Sequence, residues 1–187
     1  MKQLDKVKLR QSILQQRRSL SVTQWQQKSA AICDRLQAFS LFAEAKTVLA
    51  YFSFRQEPNL ELLFSADKCW GFPRCEKTAL IWHSWQPGDT LGTSKYGTLE
   101  PLANALLVEP STVDLILVPT VACDRQGYRL GYGGGFYDRL LSSPQWSQIP
   151  TVGIVYDFAY LPQLPIEPWD IQLDYVCTET TIELSDR

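Results

Sequence analysis

The sequence predicts one α/β domain built in three layers, α/β/α, around a mostly parallel sheet. Three observations carry that expectation. Short apolar runs of the kind that fill buried parallel strands alternate with helix-period patterns along the chain. The strongest of these runs leads, through a polar turn, into a glycine cluster and a further helix pattern. The chain has 187 residues, 45% hydrophobic and 20% charged, with no internal repeat and no stretch that marks a boundary. A single domain over residues 1–187 can bury most of its apolar surface at that size without metal or disulfide staples.

Residues 2–18 set Leu4, Val7, Ile13 and Leu14 at near-helical spacing among charged and Gln side chains. Ser21-Val-Thr-Gln24 has the form of a capping box: the Ser oxygen accepts an amide three residues on, and the Gln side chain reaches back. The helix it starts is expected over residues 22–39, with Trp25, Ala30, Ile32, Leu36 and Phe39 on an apolar stripe. A buried strand is expected at 47–52, then a short helix at 58–66 with Pro58 in its first turn. Residues 69–73 and 79–85 read as two more strands, and 86–110, rich in Gly, Thr and Pro, mainly as loop. The clearest core strand is 115–119. A helix at about 136–142, a strand at 151–156 and a last strand near 175–178 complete the pattern.

Charge and cysteine usage exclude several function classes. A net charge of -2 and a pI near 5.4 argue against nucleic-acid binding through overall charge. The charge is uneven, however: Lys2, Lys6, Lys8, Arg10, Arg17 and Arg18 face the single acid Asp5 within residues 1–18. That segment suits either a solvated helix face or an anion-binding arm. Five cysteines with no C-x-x-C pair fit neither a disulfide framework nor a zinc site. No apolar run reaches membrane length, and polar Gln and Ser follow the charged start where a signal peptide would have its core. The expectation is a cytoplasmic protein with reduced thiols and no nucleic-acid or membrane partner. It is also expected to be a monomer, since no coiled-coil heptads are visible.

Chemistry concentrates in the stretch from Val118 through Asp124 and Arg129 to Asp138, which contains Gly131, Gly133, Gly134 and Gly135. Ligands of open α/β sheets bind outside the carboxyl ends of the strands. Glycines there let the backbone approach a phosphate, amides at a following helix start can bind anions, and Arg129 can supply a fixed positive charge. Two common patterns fail. Counting from Gly131, the sixth residue is Phe136, so G-x-G-x-x-G is absent, and no Gly-Lys-Ser/Thr follows. A flexible turn, with Asp138 complementing a helix dipole, is the plainer alternative.

Arg129-Leu-Gly-Tyr-Gly-Gly-Gly-Phe-Tyr-Asp138-Arg139, preceded by Pro119 and Asp124, resembles the signature of the 5-formyltetrahydrofolate cyclo-ligase family, also called methenyltetrahydrofolate synthetases. Lys6-Val-Lys-Leu-Arg10 with Arg18 and Leu20, Phe52-Ser-Phe-Arg-Gln-Glu57, Phe72-Pro-Arg74, Gly97-Thr-Leu-Glu100-Pro101, Gly153, and Leu164 through Asp170 to Asp174 are similar to further family features. The resemblance spans nearly the whole chain. It implies a fold like that of sugar isomerases and coenzyme A transferases. It also implies small-molecule partners, ATP and 5-formyltetrahydrofolate, with Mg2+ as cofactor. Lys6, Val7, Lys8, Leu9 and Arg10, together with Arg129, Leu130, Gly131, Tyr132, Gly133, Gly134, Gly135, Phe136 and Tyr137, would hold ATP. Arg129 and Tyr137 would be catalytic, and Phe52, Glu57, Tyr132, Gly133, Gly134, Gly135 and Phe136 would face the folate. Asp138 and Asp174 would position the metal.

The implied reaction passes the γ-phosphoryl group to the N5-formyl oxygen. N10 then attacks the activated carbon, and loss of phosphate leaves the 5,10-methenyl ring. Positioning and charge neutralisation suffice for such a transfer. Two positions depart from the family pattern: Ala159 stands where Gln is common, and Trp169 where His is frequent. Two other readings compete. A sugar-phosphate isomerase on the same fold would need acid/base carboxylates or a Lys, and the Lys6/Arg10 helix argues against it. A non-catalytic nucleotide- or folate-binding protein would be signalled by loss of Asp138 or Arg129, and both are present. The lone His83 and Cys123 read as packing residues.

Overall fold

A seven-stranded sheet runs through the middle of the molecule, its strands in the spatial order 182–184, 175–177, 151–154, 115–119, 47–49, 69–76 and 79–85. The structure, a computed structural model, describes residues 2–65 and 67–186; the side chains of residues 2–5, Leu4 among them, and Ala66 lie outside the described residues. The five inner strands are β1 (Thr47–Leu49), β2 (Cys69–Glu76), β6 (Leu115–Pro119), β9 (Thr151–Ile154) and β11 (Tyr175–Cys177), all mutually parallel. The edges β3 (Ala79–Trp85) and β12 (Ile182–Leu184) are antiparallel.

Alternation along the strands divides the core into two faces. Leu49, Ile116 and Val118 point to the face covered by α1 (Lys2–Arg18) and α4 (Phe136–Leu141), with Ile13, Leu14, Leu140 and Leu141 packed on them. Val48, Leu115, Leu117, Val152 and Ile154 point to the other face. There α2 (Val22–Ala38) and α3 (Ser40–Glu44) lay down Ile32, Cys33, Leu36 and Phe42. The three layers follow from that division.

The capping box forms as the sequence predicts. Gln24 N–H donates to Ser21 Oγ at 3.2 Å, and Ser21 N–H donates to Gln24 Oε1 at 2.9 Å. The predicted helix at 58–66 is only a 3-10 turn at Glu61–Leu63, where the Asn59 side chain accepts the Glu61 amide and donates to the Glu61 carboxylate. α3 and β12 were not expected. The loop at 86–110 contains a hairpin, β4 (Leu91–Thr93) and β5 (Leu99–Pro101).

A second small sheet positions the glycine loop. β7 (Ala122–Asp124) pairs antiparallel with β8 (Arg129–Leu130) and parallel with β10 (Tyr160–Leu161). It lies so close over β9 that a Cβ on Gly153 would stand 3.0 Å from Cys123 Sγ and 2.7 Å from Leu173. Buried Asp124 ties the β7–β8 turn: it accepts the amides of Gln126, Tyr128 and Leu164 at 3.1, 3.0 and 2.9 Å. β8 therefore delivers Gly131 back above the sheet.

Candidate active site

Positions 6, 10, 13, 14 and 17 of α1 share one face by helical spacing. Ile13 and Leu14 bury the middle of that face, and cations stand on either side of them. Lys6 Nζ donates to Asp170 Oδ2 at 2.5 Å. Arg10 Nε donates to the Gly131 carbonyl at 2.7 Å. Arg17, only 2% exposed, donates to the Tyr132 hydroxyl and stands 5.5 Å above that ring. The glycine loop is thus fastened to α1 at two points.

Within the loop, Gly133 at φ +97 and Gly135 at φ +65 occupy the left-handed region that other residues enter at a cost. Arg139 donates to the Gly134 carbonyl at 2.8 Å, and Tyr96 of the β4–β5 hairpin meets Phe136 edge-on at 6.3 Å. The helix that follows runs Phe136–Leu141, close to the expected 136–142, and at six residues its dipole is weak. Attraction for an anion rests instead on Lys6 and Arg10.

Arg129 and Asp138 form an ion pair of 2.6 Å, and Arg129 also donates to the Ile171 carbonyl at 2.7 Å. Arg129 is nearly buried, so its charge is committed to fixing Asp138 and the 170–171 segment. The Tyr137 hydroxyl is buried with no hydrogen-bond partner among the described residues, and burial raises its pKa well above the ordinary phenol value. It stays a donor in need of an acceptor.

At the other end of α1 lies Glu57, 5% exposed, on a turn whose Arg55 and Gln56 have φ of +50 and +58. Such left-handed residues persist only where neighbours over-determine them. Here Trp25 Nε1 and Ser53 Oγ both donate to the Glu57 carbonyl at 2.8 Å, and the Tyr156 hydroxyl donates to that of Gln56 at 3.0 Å. The carboxyl accepts Phe54 N–H at 3.0 Å and has Arg17 Nη1 at 4.0 Å. Burial pushes the Glu57 pKa up to about 7, against the smaller pull of Arg17 and the Phe54 amide.

Of the sequence-predicted residues, Lys6, Arg10, Gly131–Gly135 and Glu57 are gathered around α1 and the loop. Val7 and Lys8 turn to solvent, Leu9 packs partly on the core, and Leu130 is buried. Phe52 stacks on Phe72 at 4.0 Å with Trp85 and Phe64 edge-on, a wall of the core below the Glu57 turn. Asp174 has other business than Asp138: its carboxylate accepts the Thr151 amide and hydroxyl at 2.8 and 2.7 Å, at the amino ends of β9 and β11. Ala159 is buried, whereas Trp169 is 66% exposed beside Asp170. The sequence reading missed Arg17 and Asp170 as members of this cluster. The signal for Arg17 was available, since it lies eleven residues, about three helical turns, beyond Lys6.

Cations and a glycine loop facing each other over a largely parallel sheet are the arrangement of an α/β protein that acts on a small molecule. More narrowly, the chain belongs to the 5-formyltetrahydrofolate cyclo-ligase family, whose pattern matches residues 2–179. It is 33% identical over 178 residues to the 5-formyltetrahydrofolate cyclo-ligase of Escherichia coli, covering 91% of this chain and 98% of the relative. Its identity to the Mycolicibacterium smegmatis cyclo-ligase is 32% over 184 residues, covering 92% and 93%. The solved 5,10-methenyltetrahydrofolate synthetase of Aquifex aeolicus superposes with a TM-score of 0.85 at 32% identity, over 97% of this chain and 93% of that one. The Mycoplasma pneumoniae synthetase gives 0.75 at 26%, over 94% and 99%.

Proposed function

We propose that this chain uses ATP and magnesium to convert 5-formyltetrahydrofolate into 5,10-methenyltetrahydrofolate, releasing ADP and phosphate. One observation carries the reading. The glycine loop runs between the Lys6/Arg10 end of α1, suited to phosphates, and the Glu57 turn, suited to the donor edge of a pterin.

Family membership supports the substrate assignment, and the residues present fit both ligands. Lys6 and Arg10 hold positive charge beside a loop whose Gly131 leaves open space for a close approach. Asp138 offers a partly exposed carboxylate next to that loop, of the kind that binds magnesium together with phosphate oxygens. Magnesium bound there would neutralise charge on the transferring phosphoryl group. Asp174 would have to release Thr151 to join it, so Asp138 is the ligand we infer.

The γ-phosphoryl group passes to the N5-formyl oxygen, N10 attacks the formyl carbon, and phosphate departs as the ring closes. Lys6 and Arg10 hold the phosphates in line, Arg129 fixes Asp138, and Glu57 holds the pterin. No protein nucleophile is required. Burial pushes the Cys33, Cys123 and Cys177 thiols up to about 12, which keeps them unreactive. The test is absorbance in the methenyl-folate band after mixing protein, 5-formyltetrahydrofolate, magnesium and ATP. Growth that requires both ATP and magnesium supports the activity; binding of both ligands without growth sinks it.

A further inference from the structure

We propose that Arg17 reads the pterin directly, its free guanidinium edge donating to the ring carbonyl while Glu57 accepts the adjacent ring N–H and amino groups. This rests on the activity proposed above and adds a specificity residue to it.

Arg17 is 2% exposed, yet among the described residues its Nε and Nη1 have no hydrogen-bond partner. A buried guanidinium with unmet donors is costly, and such groups are rare unless something completes them. Nη1 stands 4.0 Å from Glu57 Oε1, too far for a direct N–H···O bond. That spacing suits two groups that reach neighbouring atoms of one ring edge. A reduced 2-amino-4-oxo pteridine presents such an edge: two donors, the amino group and the ring N–H, beside one acceptor, the carbonyl. A carboxylate answers the donors only. The carbonyl needs a cationic or neutral donor next to it, and Arg17 is the side chain in that place.

Tyr132 already imitates the ligand. Its hydroxyl accepts from Arg17, as the ring carbonyl would, and it lies beside the guanidinium that faces Glu57. Tyr132 sits on the glycine loop with its residue 44% exposed and left-handed Gly133 beside it, so it can withdraw as the pterin enters.

The experiment is equilibrium titration without ATP, comparing 5-formyltetrahydrofolate with the same reduced pteridine carrying an amino group in place of the carbonyl. That amino group would set donor against donor at Arg17. Wild type is expected to prefer the carbonyl compound by about a hundredfold, the scale of one hydrogen bond to a charged group. Arg17→Gln should lose most of that preference by weakening the carbonyl compound alone, with ATP binding unchanged within about twofold. Arg17→Lys, which keeps a charge and a donor, should retain an intermediate preference, and it carries the test if the Gln variant fails to fold. Equal weakening of both compounds would mean that Arg17 only braces Glu57 or Tyr132, and would overturn the proposal. So would a wild type indifferent to the substitution. If wild type binds neither compound, the activity reading itself fails, and this one with it.

Discussion

The two ends of α1 solve opposite problems. At the Lys6/Arg10 end the cations are half-buried, paired with Asp170 and a loop carbonyl, and close to solvent. At the Arg17/Glu57 end both charges are nearly dry, imperfectly paired and roofed by one tyrosine. Solvated charges are cheap to keep and suit a triphosphate, which brings charge of its own. Buried charges are expensive, and what they gain is discrimination, because a wrong partner leaves them unmet. With the proposed activity, one helix would carry an affinity end and a specificity end.

The sharpest way to break the comparison is at the phosphate end. Asp138→Asn should lower kcat/KM by about a thousandfold, with the folate dissociation constant unchanged. Steady-state kinetics beside folate titration would check it; a matching loss of folate affinity would join the two ends into one.

Glu57→Gln should do the converse, weakening folate about a hundredfold while ATP binding holds. It carries a stability signature as well. Burial favours the protonated carboxyl in the folded chain, so the stability it lends is present below the ordinary carboxyl range and lost as pH rises through about 7. Gln imitates the protonated form and escapes that loss. At pH 8 the variant should therefore be more stable than ligand-free wild type by about 3 kcal/mol, and the difference should vanish near pH 4. Thermal melts at the two pH values decide it. The same shift predicts that wild-type KM for the folate rises about tenfold for each unit of pH below 7, as the accepting carboxylate disappears.

Asp174→Asn sharpens the metal assignment. It should cost about 2 kcal/mol of stability through the lost Thr151 bonds and leave the magnesium concentration for half-maximal rate unchanged. A steep rise in that concentration would make Asp174 a ligand. The smallest effect belongs to Ser21→Ala, which should cost about 1 kcal/mol and move no kinetic constant.

The legible part of the molecule follows the same division. The parallel core strands, the capping box and the glycine loop are local patterns, so residues 115–119, Ser21 to Gln24 and Gly131 to Gly135 declared themselves in the sequence. Lys6 and Arg10 were legible through a family motif. Arg17 was legible only as one more cation of the same helix face; its meeting with Glu57 and Tyr132, residues far away in the chain, was not. The short helix after the glycine loop was legible as well, ending where Ser142 and Ser143 close it with bonds back to Asp138 and Leu140. The family pattern pointed to Asp174 as a metal ligand, and the pairing of β9 and β11, which sets Thr151 on its carboxylate, is a contact that pattern could not announce.

The single face of α1 also sets a rule for how this chain can change. One residue inserted between Arg10 and Arg17 would rotate everything beyond it by about 100° and advance it about 1.5 Å. Arg17 would then swing out of its buried place and a Gln would take it, while Lys6 and Arg10 stayed where they are. Substitutions along that stretch can be tested one side chain at a time, but its length cannot drift. Descendants of this sequence are free to vary the exposed positions between the two arginines and are bound to keep six residues between them.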